Sequence, residues 1–356
     1  MTKLFGTITV TLCGVSCLAL SGCGNGNTSS QAESTTATTA NTSAGATTAS
    51  ATEKLSGTPF TVAYNQWIGF AGIFMAQEQG LFKKAGLDVQ FKQFAGPADG
   101  TPPLIAGQLD ADLTTADTPI LLSRESNDNK LHNVMLVDTS HGADGVVAQK
   151  GFKTLKDLKG KTIAVTKGQC NELLLLRGLE KSGMTEQDVT ITNMDADAGG
   201  AAVLAGKVPA AVTWEPWLSK AKANGGSIVF SSAETPNLLL DVLTVSDKTL
   251  KEKPADVRAF VAVCLKGNEM AAKDPQAAAK VAQKYLGTTP AEALAMLKKV
   301  SIYGVADNAR LIGTEATPGV VAKSSADIAN FFVKQKVMSE APAKTNLFTS
   351  EYLPKS

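Results

Sequence analysis

The chain has 356 residues, and its 34 Lys and Arg residues nearly balance its 33 Asp and Glu residues, so the formal net charge is +1. It contains neither a basic run nor a series of aromatic residues, which phosphate backbones and stacked bases require, so the composition gives no indication of nucleic-acid binding. Roughly 300 residues follow residue 54, enough for two lobes with separate cores and too many for one.

The N-terminal segment is predicted to direct export. Residues 1–22 contain a single charge, Lys3, before a largely apolar run, and the four residues LSGC that end at Cys23 resemble a bacterial lipobox. The run is too short and too interrupted for a confident membrane span. We expect a signal peptide at 1–22 and a lipid on Cys23, which would anchor the protein in the periplasm or on the outer face of the cytoplasmic membrane.

Residues 23–54 are predicted to be a flexible tether that carries the lipidated cysteine at its start. Positions 24–52 are almost wholly Ser, Thr, Ala, Asn, Gly and Gln, without an aromatic side chain. Such a stretch cannot bury enough apolar surface to fold, so the folded body would stand off the membrane and stay near it.

The remainder of the chain contains two similar copies of one sequence unit, about a hundred residues apart. The run TVAY at 61–64 returns as TIAV at 162–165, and IAGQL at 105–109 returns as LAGKV at 204–208. Two copies in the same order indicate two lobes with a cleft between them.

Both copies predict strands alternating with helices. The first gives a strand at 60–64, a helix from residue 73 to its C-terminus at 83–86, a strand at 87–92, a helix beginning near Thr101 and a strand at 109–114. The second gives strands at 162–165, 189–192 and 210–213, with helices at 171–181 and 198–205 between them. This order is typical of a parallel sheet with helices on its faces.

The lobes are expected to share the chain in three parts. Residues 55–145 form the first part of lobe 1, residues 146–243 form lobe 2, and residues 244–356 complete lobe 1 with C-terminal helices. The strand-like runs at 134–137 and 145–148 would carry the chain across, and 238–245 would bring it back.

Several short motifs resemble the nitrate/sulfonate/taurine family of periplasmic substrate-binding proteins. They are GLF at 80–82, AGLDV at 85–89, AGQLD at 106–110, LKDLKGK at 155–161 and WEPW at 214–217. The resemblance covers about residues 58 to 245 and continues more weakly to the end. It implies an α/β type II periplasmic binding protein fold, in which two lobes of mainly parallel sheet are joined by two crossover segments.

The resemblance also implies a function and partners. A protein of this family would deliver a small solute to the permease and ATPase subunits of an ABC importer, as a monomer, without a cofactor and without catalysis. The mechanism implied is hinge closure around the ligand. A sensory module that feeds a membrane receptor would have the same sequence features.

Ligands of open α/β sheets lie beyond the carboxyl ends of the strands, so strand ends and helix starts supply the candidate site residues. The candidates are Gln66, Trp67, Thr115, Asp117, Thr118, His141, Asp144, Cys170, Asn171, Trp214 and Glu215.

Several candidates have an alternative structural role. Trp67 could plug a helix end instead of forming a cleft wall, and Asp117 could be a helix N-cap as well as a ligand group. Glu215 could lie in a solvated turn, and His141 could be structural.

The charge of these candidates favours a cationic ligand. Asp117, Asp144 and Glu215 are acidic, whereas the nearby cations are Lys167 and, ambiguously, His141. Carboxylates accept paired hydrogen bonds from a guanidinium group and indole faces attract positive charge, so we expect a small, guanidine-like nitrogenous cation. Nitrate, taurine and alkyl sulfonates are the alternatives, and they would need helix N-termini and a committed cation.

An enzyme is the competing class. Pyrimidine-precursor synthases resemble this family, and the resemblance implies that they use a pyridoxal-type lysine, histidines and a cysteine-rich iron motif. After cleavage and lipidation, Cys170 and Cys264 would be the remaining free thiols, far apart and without neighbours at metal spacing. We therefore predict no metal site and no catalytic activity.

Overall fold

The computed structural model describes residues 54–122, 130–342 and 345–355. The predicted signal peptide, the lipidated Cys23 and all but the last residue of the tether lie outside these residues. None of the helices in the described ranges combines the length and the apolarity that crossing a bilayer requires.

The strands occur in both copies of the repeat and in the segments that connect them. They are β1 (Phe60–Tyr64), β2 (Val89–Gln93), β3 (Ala111–Thr115), β4 (Leu131–Ser140), β5 (Asp144–Ala148), β6 (Thr162–Val165), β7 (Thr190–Asn193), β8 (Ala210–Trp214), β9 (Ser227–Ser231), β10 (Leu240–Ser246) and β11 (Val300–Ile302).

The helices are concentrated after the second copy of the repeat. They are α1 (Ala71–Glu78), α2 (Leu81–Lys84), α3 (Thr101–Ile105), α4 (Asp117–Leu122), α5 (Cys170–Lys181), α6 (Ala196–Leu204), α7 (Trp217–Ala223), α8 (Asp247–Glu252), α9 (Pro254–Lys273), α10 (Pro275–Leu286), α11 (Pro290–Leu297), α12 (Val305–Ile312) and α13 (Val320–Lys334).

Within the described ranges the strands form two sheets, ordered β2-β1-β3-β10-β4-β11 and β7-β6-β8-β5-β9. The strands of each repeat pair in parallel, β1 with β2 and β3, and β6 with β7 and β8. The segments between the repeats add antiparallel strands, β10 against β3 and β5 against β8. The two-lobe α/β architecture is confirmed, but each sheet is mixed rather than mainly parallel because the crossing strands run against the repeat.

Two local features differ from the sequence-based expectation. The helix expected from residue 73 to about 84 is divided into α1 and α2 because Gly80 adopts a left-handed conformation, with φ of 65°. The C-terminal helix α13 packs with the lobe 2 core, where Phe331 and Phe332 join Leu173 of α5. The C-terminal segment therefore contributes to lobe 2 as well as to lobe 1.

The first lobe has an aromatic core between its sheet and α9. Phe260 of α9 lies 5.2 Å from Phe60 of β1 and 5.0 Å from Phe82 of α2, between ring centroids. All three side chains are fully buried or nearly so. Burial of aromatic rings of this size contributes strongly to core stability.

Helices α1 and α9 approach closely enough for their backbones to touch. A Cβ atom on Gly267 of α9 would lie 2.2 Å from the carbonyl oxygen of Gly72 in α1. A Cβ atom on Gly72 would lie 2.6 Å from the Cα atom of Asn268. Two facing glycines therefore set the distance between these helices and hold α9 against the residues that follow β1.

We predict that Gly267→Ala destabilises the protein. The added methyl group forces the two backbones apart, and this overpacking outweighs the ~1 kcal/mol that alanine gains in helix propensity. The net free energy of unfolding should therefore fall by roughly 1–3 kcal/mol. Urea denaturation measures the change, and Lys266→Ala at the exposed neighbouring position is the control. A Gly267→Ala variant as stable as this control would contradict the packing argument.

Candidate ligand-binding cavity

A cavity with a free volume of about 10 Å³ lies between the two sheets. Its walls come from the segments that follow strands of both repeats and from the starts of β5, α5 and β10. The lining residues are Asn65, Trp67, Pro97, Thr115, Asp144, Cys170, Trp214, Leu239 and Asp241. That space holds no more than about one water molecule, so a solute can enter only when the lobes open or the walls shift.

Five of the predicted site residues line this cavity. Trp67 and Trp214 are 4% and 5% exposed and form walls from opposite lobes, while Thr115, Asp144 and Cys170 lie between them. The duplication explains this arrangement, since equivalent strand ends from the two copies face each other.

Three more predicted residues are buried at the starts of α4 and α5. Asp117 and Thr118 open α4, and the hydroxyl oxygens of Thr118 and Thr115 are 3.4 Å apart. Asn171 follows Cys170 in α5. Buried polar atoms usually have hydrogen-bond partners, but Asp117 Oδ2 and Asn171 Nδ2 have none among the described residues.

The remaining three predicted residues lie elsewhere. Gln66 faces an outer chamber and donates its amide to the backbone of Tyr285. His141 is exposed in the turn between β4 and β5, where its backbone N–H donates to the carbonyl of Lys299. The structure does not bring either side chain to the cavity.

Glu215 is buried and already paired with a cation. Its carboxylate forms a short ion pair with Lys299, which precedes β11 of the other lobe, and accepts two hydrogen bonds from Ser219 at 2.9 and 3.1 Å. It therefore bridges the lobes and caps α7 rather than contributing charge to a ligand. Glu215 does not line the cavity in this structure, and its pair with Lys299 joins the two lobes.

Two buried aspartates that the sequence analysis missed supply acidity instead. Asp138 of β4 and Asp241 of β10 are in register, and their carboxyl groups are hydrogen-bonded to each other. The indole N–H of Trp67 lies 3.2 Å from both oxygens of Asp138. Burial raises the pKa of Asp138 to about 7 and the pKa of Asp241 well above its ordinary value, with the neighbouring Asp138 charge adding to the latter.

The other acids near the cavity are perturbed in the same direction. Burial raises the pKa of Asp144 to about 7, with the negative charge of Glu215 adding to the effect and a hydrogen bond from Ser140 opposing it. Burial also raises the pKa of Asp117 to about 6, although a hydrogen bond from Thr115 favours its ionised form. Asp144 and Asp241 line the cavity, Asp117 and Asp138 lie close to Asp241, and among the described residues that line the cavity none is a Lys, Arg or His.

Cys170 is a neutral thiol in this environment. Burial and the charges of Asp117, Asp144 and Asp241 raise its pKa well above the ordinary value. Since the thiolate is the nucleophilic form, the site does not activate this cysteine. In the described part of the chain, no group of His, Cys, Asp and Glu side chains has the arrangement needed to hold a metal ion.

An outer chamber of about 250 Å³ adjoins the cavity and shares the wall formed by Trp214. Its lining mixes polar and apolar residues and comes from both lobes. The lining residues are Gln66, Gln93, Phe94, Ala95, Gly96, Asp99, Thr166, Gln169, Asp195, Ala196, Asp197, Ala198 and Trp214.

The sequence did contain a signal for the missed acids. Asp138 directly follows the apolar run VMLV at 134–137, and Asp241 lies between LLL at 238–240 and VLTV at 242–245. An acid beside or inside an apolar strand is rarely buried without a specific role. The sequence predicts these strands only as connections between the lobes, so their acids are not among the candidates.

A comparison with protein families matches residues 67–278 to the NMT1/THI5-like family model. A Brucella abortus protein named as a binding protein is 27% identical over 216 residues, covering 60% of this chain and 66% of that protein. A Bacillus subtilis protein named for binding aliphatic sulfonates is 28% identical over 198 residues, covering 54% of this chain and 59% of that protein. The chain thus spans less than two thirds of the length of either relative.

The structural comparison agrees with the fold. The alkanesulfonate-binding protein SsuA of Xanthomonas axonopodis pv. citri, solved with bound MOPS, superposes with a TM-score of 0.69 at 20% identity, covering 82% of this chain and 98% of that one. This likeness shows the two-lobe periplasmic binding protein fold and agrees with the resemblance drawn from the motifs. Since the family match covers more than half of the sequence, the chain belongs to the NMT1/THI5-like family.

Proposed function

We propose that this protein is the extracytoplasmic solute-binding component of an ABC importer and that it binds a small nitrogenous cation, such as guanidinium, between its lobes. The observation that carries the proposal is the pair of carboxyl groups of Asp144 and Asp241 that line one small cavity, with Asp117 and Asp138 buried close to Asp241. In this proposal the loaded, closed form is recognised by permease and ATPase subunits, and the chain is a monomer held at the membrane through Cys23.

Electrostatics favours a cation over an anion at this position. At an effective dielectric constant of about 20, two unit charges about 4 Å apart interact by roughly 4 kcal/mol. An ionised Asp144 or Asp241 would attract a guanidinium ion by an energy of this order and would repel a sulfonate by the same amount. The faces of Trp67 and Trp214 add a cation–π attraction.

Nitrate, taurine and alkyl sulfonates remain the alternative ligands because the Bacillus and Xanthomonas relatives are named for sulfonates. A sulfonate could bind here only while the aspartates are protonated and donate hydrogen bonds. The two ligand classes therefore require opposite changes of affinity with pH, which an experiment can distinguish.

An enzymatic role is disfavoured by the chemistry at the cavity. Cys170 is held as a thiol, and His141 is exposed outside the cavity. The other histidine in the chain, His132, pairs with Asp247 at 2.6 Å. The groups present can hold and orient a solute by hydrogen bonds and aromatic contacts, as binding without catalysis requires.

We predict that Asp144→Asn weakens guanidinium binding at least roughly tenfold, because a hydrogen bond to a charged group contributes about 1.5–3 kcal/mol. Calorimetric titration of the full-length protein in detergent measures the affinity. Asp112→Asn is the matched control, since Asp112 is equally buried and burial also raises its pKa to about 7, but it hydrogen-bonds Thr101 and does not line the cavity.

Two results would contradict the proposal of a cationic ligand. One is an equal loss of affinity in the Asp144 and Asp112 variants, which would indicate binding elsewhere. The other is saturable binding of nitrate, taurine or methanesulfonate by a protein that shows no binding of guanidinium.

We predict that the stability of the ligand-free protein decreases as pH rises from about 4 to 7. The pKa values of Asp117, Asp138 and Asp144 are about 6, 7 and 7 in the folded protein, against about 3.9 in an unfolded chain. The folded state then binds more protons than the unfolded state, so raising the pH favours unfolding until these groups are ionised.

Guanidinium should reverse this trend, since its binding is strongest when the carboxyl groups are ionised. Thermal unfolding between pH 5 and 8, with and without guanidinium, measures both effects. The stabilisation by guanidinium should grow with pH, whereas stabilisation by a sulfonate would shrink. A ligand effect that is constant across this range would argue against carboxylates as the binding groups.

We predict that Lys299→Met weakens ligand binding by leaving the buried carboxylate of Glu215 without its partner in the closed form. The cost should be roughly 1–2 kcal/mol, less than for a fully buried pair because the Lys299 side chain is 32% exposed. Adding Glu215→Gln should recover part of the loss. Lys284→Met, which breaks the exposed pair with Glu78, is the control and should leave affinity unchanged.

A further inference from the structure

The boundary between the inner cavity and the outer chamber is formed by consecutive residues from each lobe. In lobe 1, Gly96 faces the outer chamber and Pro97 faces the cavity. In lobe 2, Gln169 faces the outer chamber and Cys170 faces the cavity. The thin partition between the two spaces therefore consists of these two segments together with the ring of Trp214.

Gln169 joins the two sides of this partition. Its side-chain amide donates to Asp99 Oδ1 across the cleft at 3.4 Å, and the other oxygen of Asp99 accepts from the backbone N–H of Gly96 at 2.8 Å. Although Gln169 is the N-cap residue of α5, its side chain makes no capping hydrogen bond. Its Oε1 atom is buried and has no hydrogen-bond partner among the residues that the structure describes. The side chain is therefore placed by the cleft rather than by its own helix.

Gly96 provides the space that this placement needs. A Cβ atom at this position would lie 2.8 Å from Gln169 Oε1 and 3.2 Å from Nε2. Gly96 does not adopt a positive φ angle, so its backbone conformation is open to other residues. The absence of a side chain here serves the contact with Gln169. Pro97 is fixed in turn, because its carbonyl accepts a hydrogen bond from Thr114 at 2.6 Å.

We propose that Gln169 is a specificity-determining residue that closes the inner cavity over Gly96 and limits the size of the solute held inside. This inference rests on the proposed function for the identity of the solute and narrows its substrate class. The cation accepted is unsubstituted or carries at most a very small substituent. A longer substituent would have to pass between Gln169 and Gly96, and it would break the bridge to Asp99. The unpartnered Oε1 atom of Gln169 is available to accept a hydrogen bond from an N–H group.

The experiment measures access to the cavity through Cys170 and does not depend on any ligand. Full-length wild-type protein and variants are treated with iodoacetamide, and peptide mass spectrometry follows the alkylation of Cys170 separately from the other cysteines. Gln169→Ala and Gly96→Ala should each accelerate alkylation by roughly two- to tenfold, the range expected for loss of one hydrogen bond from the closed form. Gln93→Ala, an exposed glutamine of the outer chamber away from the partition, should have no effect.

The two substitutions should not be additive. The methyl group of Gly96→Ala acts by displacing the Gln169 side chain, so it should add nothing in a protein that already carries Gln169→Ala. In a parallel titration, both single variants should bind methylguanidinium and ethylguanidinium better, relative to guanidinium, than the wild type does.

The outcomes separate the two proposals. Unchanged alkylation of Cys170 in Gln169→Ala overturns the partition, and so do additive effects of the two substitutions, which would place Gly96 in a separate role. Accelerated, non-additive alkylation in a protein that binds none of the guanidinium ions supports the partition and overturns the cationic ligand.

Discussion

The carboxyl groups of Asp138 and Asp241 are buried side by side where the two lobes join, and the rest of the site is arranged around the cost of burying them. Removal of two acids from water without a cation is unfavourable, so the pair shares a hydrogen bond and Asp138 also receives the indole N–H of Trp67. Gly69 permits this approach, since a Cβ atom there would lie 2.0 Å from an oxygen of Asp138. Trp67 is thus both a wall of the cavity and the donor that holds its acidic floor.

Much of the fold could be predicted because it is encoded locally and twice. Strand β6 begins and ends at the predicted residues, and α5 begins one residue before its predicted start. The walls of the cavity were predicted for the same reason, since Trp67 lies in the short loop after β1 and Trp214 ends β8. Periodicity and strand ends are properties of short segments, and no knowledge of tertiary contacts is needed to read them.

The acids could not be ranked from sequence because their state depends on distant partners. Glu215 looked like a ligand carboxylate, but Lys299, which neutralises it, is 84 residues away in the chain and comes from the other lobe. Asp241 looked like part of a connecting strand, but pairing of β10 with β4 places it beside Asp138, more than a hundred positions earlier. Strand pairing between non-adjacent segments therefore decided which carboxyl groups share the cavity.

The walls and the charges of the site have different origins. Trp67, Thr115, Cys170 and Trp214 belong to the repeats, whereas Asp144 begins β5 just after the first crossing and Asp241 lies in β10 just after the return. Groups next to the crossings lie close to the axis about which two lobes rotate, so they move less on closure than groups at the outer edge of the cleft. In the proposed mechanism a cation first meets these acids in the open protein. Closure then brings the tryptophan walls together and Gln169 over Gly96, so that recognition of charge precedes selection by size.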